Sequence, residues 1–225
     1  MFGRDTADKS FGAQPGTMEH ARAKVGAGFE FMQKLGVEYF CFHDVDLVPE
    51  AEDICGTNRR LDEITDYILD KMHQTGIKCL WGTANMFSNP RFMNGAGSTN
   101  SADVYCFAAA QVKKAPELTV KSGGKGYVFW GGREGYETLI NTDILGMDTY
   151  ALGLIKAAKL IEDGRIDEFV NAKYASFDSE IGKRITSGNA TLEEPAAYAE
   201  NMHKSALPSS GRHEYLNSIV NSVLF

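Results

Sequence analysis

The sequence predicts an α/β protein in which three parallel β-strands are flanked by helices and followed by an all-helical C-terminal part. Three short runs are rich in aromatic and β-branched residues, and each follows a segment with helical periodicity. This alternation predicts a parallel sheet, because parallel strands are joined by crossover connections that are usually helices. No further strand-like run follows Asp143, so the rest of the chain is expected to be helical.

The predicted elements alternate through the first part of the chain. The strands span residues 37–45, 77–83 and 127–132. The helices that precede them span residues 18–35, 61–74 and 102–121. Gly36, Gly76 and Gly123 follow the three helices, where a left-handed glycine often ends a helix. Thr57 or Asn58 is the expected N-cap of the second helix.

Prolines and capping residues define the remaining helix boundaries. Pro116 lies inside the third helical pattern, where it removes a backbone hydrogen bond and predicts a kink or a split at a cost of about 3 kcal/mol. In the C-terminal part, Asp148 can cap a helix that reaches Glu162. The sequence from Thr191 to Glu194 has the spacing of a capping box, which predicts another helix at this point.

Composition excludes several classes of protein. No apolar run is long enough to cross a bilayer, and the N-terminus has no apolar segment typical of a secretory signal, so we expect a cytoplasmic protein without a membrane partner. The four cysteines show no CxxC spacing and fit a reducing compartment, with Cys41 and Cys79 expected as packed thiols. A net charge of −7 disfavours a nucleic-acid partner.

Polar and aromatic residues end the predicted strands, where ligands bind in parallel α/β proteins. His43 ends the first strand and is followed by Asp46, a carboxylate that could orient the imidazole as a proton shuttle; a structural pair or a capping interaction is the alternative. Trp81 and Trp130 end the next two strands. Flat indole rings suit the apolar faces of sugars, and packing in the core is the alternative.

Three segments resemble signatures of the xylose isomerase family and occur in that family's order. They are FCFHDVDLVPE (40–50), LWGTANMFSNPRFMNGAGSTN (80–100) and YVFWGGREGYETLINTD (127–143). The sequence from residue 146 onward, beginning GMDTYALGLIKAAKLIEDG, resembles the family's C-terminal end. The resemblance implies a partial TIM barrel with three βα units over residues 1–145, and a C-terminal helical arm over residues 146–225.

The resemblance also implies a sugar site and a reaction. His43 would assist opening of the sugar ring, with Asp46 as its partner. Four residues would lie on or near the wall that faces the sugar: Trp81, Thr83, Phe87 and Trp130. In the family, divalent cations such as Mg²⁺, Mn²⁺ or Co²⁺ polarise the open-chain sugar while a hydride shifts between C2 and C1. The implied reaction converts D-xylose to D-xylulose, and by the same chemistry D-glucose to D-fructose.

The sequence departs from the family at the metal site. Family members have eight strands, whereas this sequence begins after the first and passes from NTD at 141–143 almost directly to GMD at 146–148. The EPKP and NHAT motifs that carry family metal ligands do not occur. Asp44, Asp46 and Glu134 are the carboxylates expected near the rim, and they are candidates for one weakly bound cation.

Two consequences follow for function and assembly. The protein is predicted to be either an isomerase of reduced activity or a non-catalytic sugar-binding or structural remnant of the fold. A three-stranded sheet leaves two edges and an open face, which predicts a homodimer or a higher homo-oligomer.

Overall fold

The computed structural model describes residues 10–92, 95–99, 101–131, 162–165, 167–168, 171 and 175–202. The chain forms two compact units. The first contains the residues up to Asn85 and Ala110–Trp130, and the second contains Met86–Ala109 and most of the described residues beyond Trp130. Within the described ranges, no helix combines the length and hydrophobicity that crossing a bilayer demands. The predicted boundary at residue 145 lies outside the described residues.

A parallel sheet lies at the centre of the first unit. Its described strands are β1 (Tyr39–His43), β2 (Lys78–Thr83) and β3 (Gly126–Tyr127), in sequence order. Both strand pairs are parallel, as the alternation of elements predicts. β3 is shorter than the predicted strand over residues 127–132, because only Gly126 and Tyr127 are paired with β2.

Helices α1 (Met18–Leu35) and α3 (Ile54–Thr75) precede β1 and β2. The start of α3 differs from the prediction, because Asp53 caps the helix in place of Thr57 or Asn58: its carboxylate accepts a hydrogen bond from the Gly56 amide at 2.6 Å. The glycines predicted to end the helices adopt left-handed conformations, with φ of 69° at Gly36, 74° at Gly76 and 65° at Gly123.

The single-turn helix α2 (Asp44–Leu47) follows β1, and helix α4 (Ala102–Lys121) precedes β3. α4 continues through Pro116, so the predicted split is wrong. Ala115 and Leu118, on either side of the proline, are almost completely buried. Their packing outweighs the backbone hydrogen bond that proline cannot make.

The core of the first unit packs β1 and β2 against helices α1, α3 and α4. Phe42 and Cys79 are buried there with apolar residues from α1 and α3. Tyr39, Cys41 and Leu80 are exposed. The prediction of a packed thiol is therefore confirmed for Cys79, which is buried, and wrong for Cys41, which is exposed.

The described C-terminal residues of the second unit are largely helical, as predicted. They include a 3₁₀ turn at Ala175–Asp178 and the helices α5 (Glu180–Thr186) and α6 (Glu193–Glu200). One of the two hydrogen bonds of the predicted capping box is described, since the Thr191 amide donates to the Glu194 carboxylate at 2.9 Å. The predicted helix from Asp148 lies outside the described residues, apart from Glu162 at its end.

Candidate functional site

The sequence-predicted histidine–carboxylate pair lies at the carboxyl end of β1. His43 is the last residue of the strand, and the turn of α2 brings Asp46 back towards it, with 3.2 Å between His43 Nδ1 and Asp46 Oδ2. The His43 side chain makes no capping hydrogen bond to α2. Donation from Nδ1–H to the carboxylate directs proton exchange to Nε2. Both side chains are partly exposed, so a ligand can reach the pair.

Asp44 lies next to this pair in sequence but points into the protein. Its side chain is only 4% exposed. The Val45 and Asn85 amides donate to Oδ1 at 2.9 and 2.7 Å, and Gln111 Nε2 donates to Oδ2 at 2.9 Å. Burial raises the pKa of Asp44, whereas these donors favour its charged form and oppose the shift. Asp44, one of the candidate metal ligands, is therefore occupied by three N–H donors.

The end of β2 is tied to the third strand by side chains. The Thr83 hydroxyl donates to the Val128 carbonyl, and the Ala84 amide donates to the Tyr127 hydroxyl at 3.1 Å. Burial raises the pKa of Tyr127 to about 12, so this phenol stays neutral at physiological pH. Thr83 itself is buried, as the structural role of its hydroxyl requires.

Aromatic residues near this edge differ in exposure. Trp130 is 48% exposed and the neighbouring Phe129 is 75% exposed, so the alternative of core packing does not hold for Trp130. Trp81 is partly buried within β2. The Phe129 ring stacks edge-on against Tyr127, with 4.8 Å between ring centroids. These positions give the first unit exposed aromatic surface at the end of its third strand.

Two predicted site residues are not described as part of this group. Phe87 belongs to the second unit, where its side chain is buried. Glu134 lies outside the described residues. The structure therefore describes the predicted sugar wall only through Trp81, Thr83 and Trp130 in the first unit.

The donor set described at this edge does not form a metal cage. Nowhere in the described ranges do three His, Cys, Asp or Glu side chains cluster in a way that could hold a metal ion. His43 and Asp46 supply two donors that already contact each other. Mg²⁺ favours six ligands, largely oxygen, so these residues alone do not fit it.

Sequence reasoning missed two residues of this region. Tyr127 was assigned only to a strand, and Gln111 only to a helix. An available signal was the position of Tyr127 at the start of the third strand-like run, opposite the polar end of the second. No sequence pattern indicated that Gln111 contacts Asp44, because 67 positions separate them.

Comparison with known proteins places these features in a wider context. Residues 170–224 match a family model described as the XylA2 C-terminal domain.

Curated proteins named xylose isomerase are similar over longer stretches. The protein from Listeria welshimeri is 65% identical over 127 residues, which is 56% of this chain and 29% of the relative. That from Thermotoga neapolitana is 55% identical over 143 residues, 64% of this chain and 32% of the relative. That from Enterococcus faecalis is 58% identical over 144 residues, 64% of this chain and 33% of the relative. The chain thus spans about a third of the length of these relatives.

Proposed function

Because the chain belongs to the xylose isomerase family, we propose that it interconverts an aldose and a ketose, with D-xylose and D-xylulose as the pair. The observation that carries the proposal is the contact between His43 Nδ1 and Asp46 Oδ2 at the end of β1. This is the position at which parallel α/β proteins bind ligands. The partial exposure of both side chains supports access by a small sugar.

Opening of the sugar ring is the step that the described residues can assist. The reaction moves a proton from the anomeric hydroxyl to the ring oxygen, so it needs a group that can accept and return a proton near neutral pH. Histidine is suited to this task, and a carboxylate on Nδ1 fixes the orientation of its ring. The exposed face of Trp130 offers a flat apolar surface for the sugar.

The hydride shift that follows makes a further demand on the site, because charge develops on the sugar oxygens. We expect turnover to require added Mg²⁺, Mn²⁺ or Co²⁺. The described residues form no complete cage for such a cation. Further ligands would have to come from residues outside the described ranges, Glu134 among them, or from a second chain. We therefore expect activity below that of longer family members.

The test is the production of D-xylulose from D-xylose by purified protein, with and without added cation. His43→Asn should lower turnover by roughly 10² to 10⁴, the usual contribution of a positioned acid or base. Asp46→Asn should cause a smaller loss, because it only misorients the imidazole. His73→Asn is the matched control, since His73 lies exposed on α3, and its turnover should be unchanged.

Two results would contradict this mechanism: turnover that persists in a chelator, or turnover that is unaffected by His43→Asn. The described residues do not form a complete metal site, which favours a second candidate function. In this alternative the protein is a non-catalytic sugar-binding or structural remnant of the fold. Binding of D-xylose by calorimetry, without turnover at any cation concentration, would support sugar binding without catalysis.

We also propose that the protein acts as a homodimer or a higher homo-oligomer in the cytoplasm. β1 is an edge of the described sheet, and Tyr39, Cys41 and Leu80 lie exposed on β1 and β2. A sheet edge beside exposed apolar side chains supports association with another chain. All four cysteines are free thiols, which supports location in a reducing compartment.

A further inference from the structure

One buried carboxylate joins three segments of the first unit. We propose that Asp44 is a positioning residue that fixes the His43–Asp46 turn to the end of β2 and to α4. This inference concerns the same site as the proposed function, and only its turnover measurement rests on that function.

The contacts of Asp44 support this role oxygen by oxygen. Oδ1 accepts from the Val45 amide at 2.9 Å, inside the turn that follows His43. The same oxygen accepts from the Asn85 amide at 2.7 Å, two residues beyond β2. Oδ2 accepts from Gln111 Nε2 at 2.9 Å, on α4. Since each buried N–H donor that loses its acceptor is left unsatisfied, loss of the Asp44 carboxyl group would free the turn from both neighbours.

The segment that Asp44 holds is itself fixed to the third strand. Asn85 follows Ala84, whose amide donates to Tyr127, and Thr83 donates to Val128. The hydrogen bond from Asn85 therefore fixes the position of the His43 turn relative to both β2 and β3. By contrast, Asp46 bonds the imidazole directly, so it orients the ring but does not locate the turn.

The geometry also indicates which substitution should be tolerated. Asparagine at position 44 keeps an oxygen that can accept from the Val45 and Asn85 amides. Its amide nitrogen would then face Gln111, whose Oε1 has no hydrogen-bond partner among the described residues. Rotation of the Gln111 amide by half a turn would present Oε1 to that nitrogen and restore the contact. Alanine can make none of these bonds.

The experiment compares Asp44→Ala with Asp44→Asn by NMR on the full chain, with Asp70→Asn, an exposed position on α3, as the matched control. In Asp44→Ala, hydrogen exchange of the Val45 and Asn85 amides should accelerate about ten- to a hundred-fold. The His43 ring signals, assigned with His43→Asn, should broaden or double as the turn becomes heterogeneous. In Asp44→Asn, exchange should accelerate less than about ten-fold, and the ring signals should stay single.

Turnover of D-xylose provides a separate measurement. Asp44→Ala should lower kcat, Asp44→Asn should largely restore it, and Asp70→Asn should leave it unchanged. If the parent protein shows no turnover, the proposed function fails, while the amide and ring measurements still decide the role of Asp44. If Asp44→Ala does not fold, Gln111→Ala, which removes one of the three donors, should give the same changes at smaller size.

Two results would overturn the proposal. Unchanged amide exchange and single His43 ring signals in Asp44→Ala, or in Gln111→Ala when Asp44→Ala does not fold, would show that the turn is held by other contacts. Changes in Asp44→Asn as large as those in Asp44→Ala would show that the negative charge at position 44, and not the hydrogen-bond geometry, is what matters.

Discussion

At the scale of single residues, Tyr127 connects two strand ends through its hydroxyl group. The hydroxyl accepts a hydrogen bond from the Ala84 amide and lies within reach of the Thr83 hydroxyl. Tyr127→Phe should therefore destabilise the protein by about 1–2 kcal/mol, because a buried amide loses its acceptor. Urea unfolding measures this change. Tyr39→Phe, at an exposed position of β1, is the control and should have little effect.

The same residue should make stability depend on alkaline pH. Burial raises the pKa of Tyr127 from 10.0 to about 12. Between these values the unfolded chain has lost the phenolic proton and the folded protein keeps it, so the contribution is complete below pH 10 and stability falls as pH rises towards 12. Tyr127→Phe should reduce the slope of unfolding free energy against pH in this window. An unchanged slope would contradict the burial of the phenol.

The residues around this site show what local sequence can predict. The contact between His43 and Asp46 follows from a spacing of three residues, which one turn of chain closes. The sequence alone does not distinguish Asp44 from Asp46, although Asp44 is buried and Asp46 is exposed in the structure. Their difference depends on the start of α2 and on donors from Asn85 and Gln111. Such donors are brought close only by folding, so a local pattern contains no trace of them.

At the scale of elements, the packing of β2 depends on Gly82. A Cβ atom at this position would lie 2.6 Å from Phe42 Cζ and closer still to the Thr119 hydroxyl. Gly82→Ala should therefore cost about 1–3 kcal/mol through overpacking. Gly28→Ala is the matched control on α1, where no atom lies within 4 Å of the added carbon, and it should stabilise by about 0.5–1 kcal/mol. Thermal unfolding compares the two, and equal effects would contradict this packing.

The order of the helices and strands was predicted more accurately than the residues at which they begin and end. Three helix–strand alternations indicated the order and direction of the strands, because the pattern is repeated along the chain. The length of β3 is set by its pairing with β2. The apolar character of residues 128–132 does not reveal which of them pair. The sequence predicted Thr57 or Asn58 as the cap of α3, whereas Asp53 caps this helix through its contact with the Gly56 amide. Boundaries of this kind are decided by contacts that the hydrophobic pattern does not encode.

At the scale of the whole molecule, exposed apolar residues of the sheet lead to a prediction about assembly. Tyr39, Cys41 and Leu80 lie exposed on β1 and β2, and β1 is an edge of the described sheet. Association through this surface would bury apolar area and pair edge groups that water otherwise satisfies. We expect light scattering to show a dimer or a larger oligomer at micromolar concentration.

Substitution can locate the interface. Tyr39→Lys should shift the protein towards monomer, because a charged side chain on an edge strand opposes pairing with another chain. Val120→Lys is the control: this residue lies on α4 and is 77% exposed, so the same substitution away from the sheet should leave the mass unchanged. A monomeric parent protein would contradict association altogether. An oligomer that survives Tyr39→Lys but dissociates on Val120→Lys would place the interface on the helical side. If Tyr39→Lys also lowers turnover of D-xylose in proportion to the monomer formed, the second chain contributes to the site.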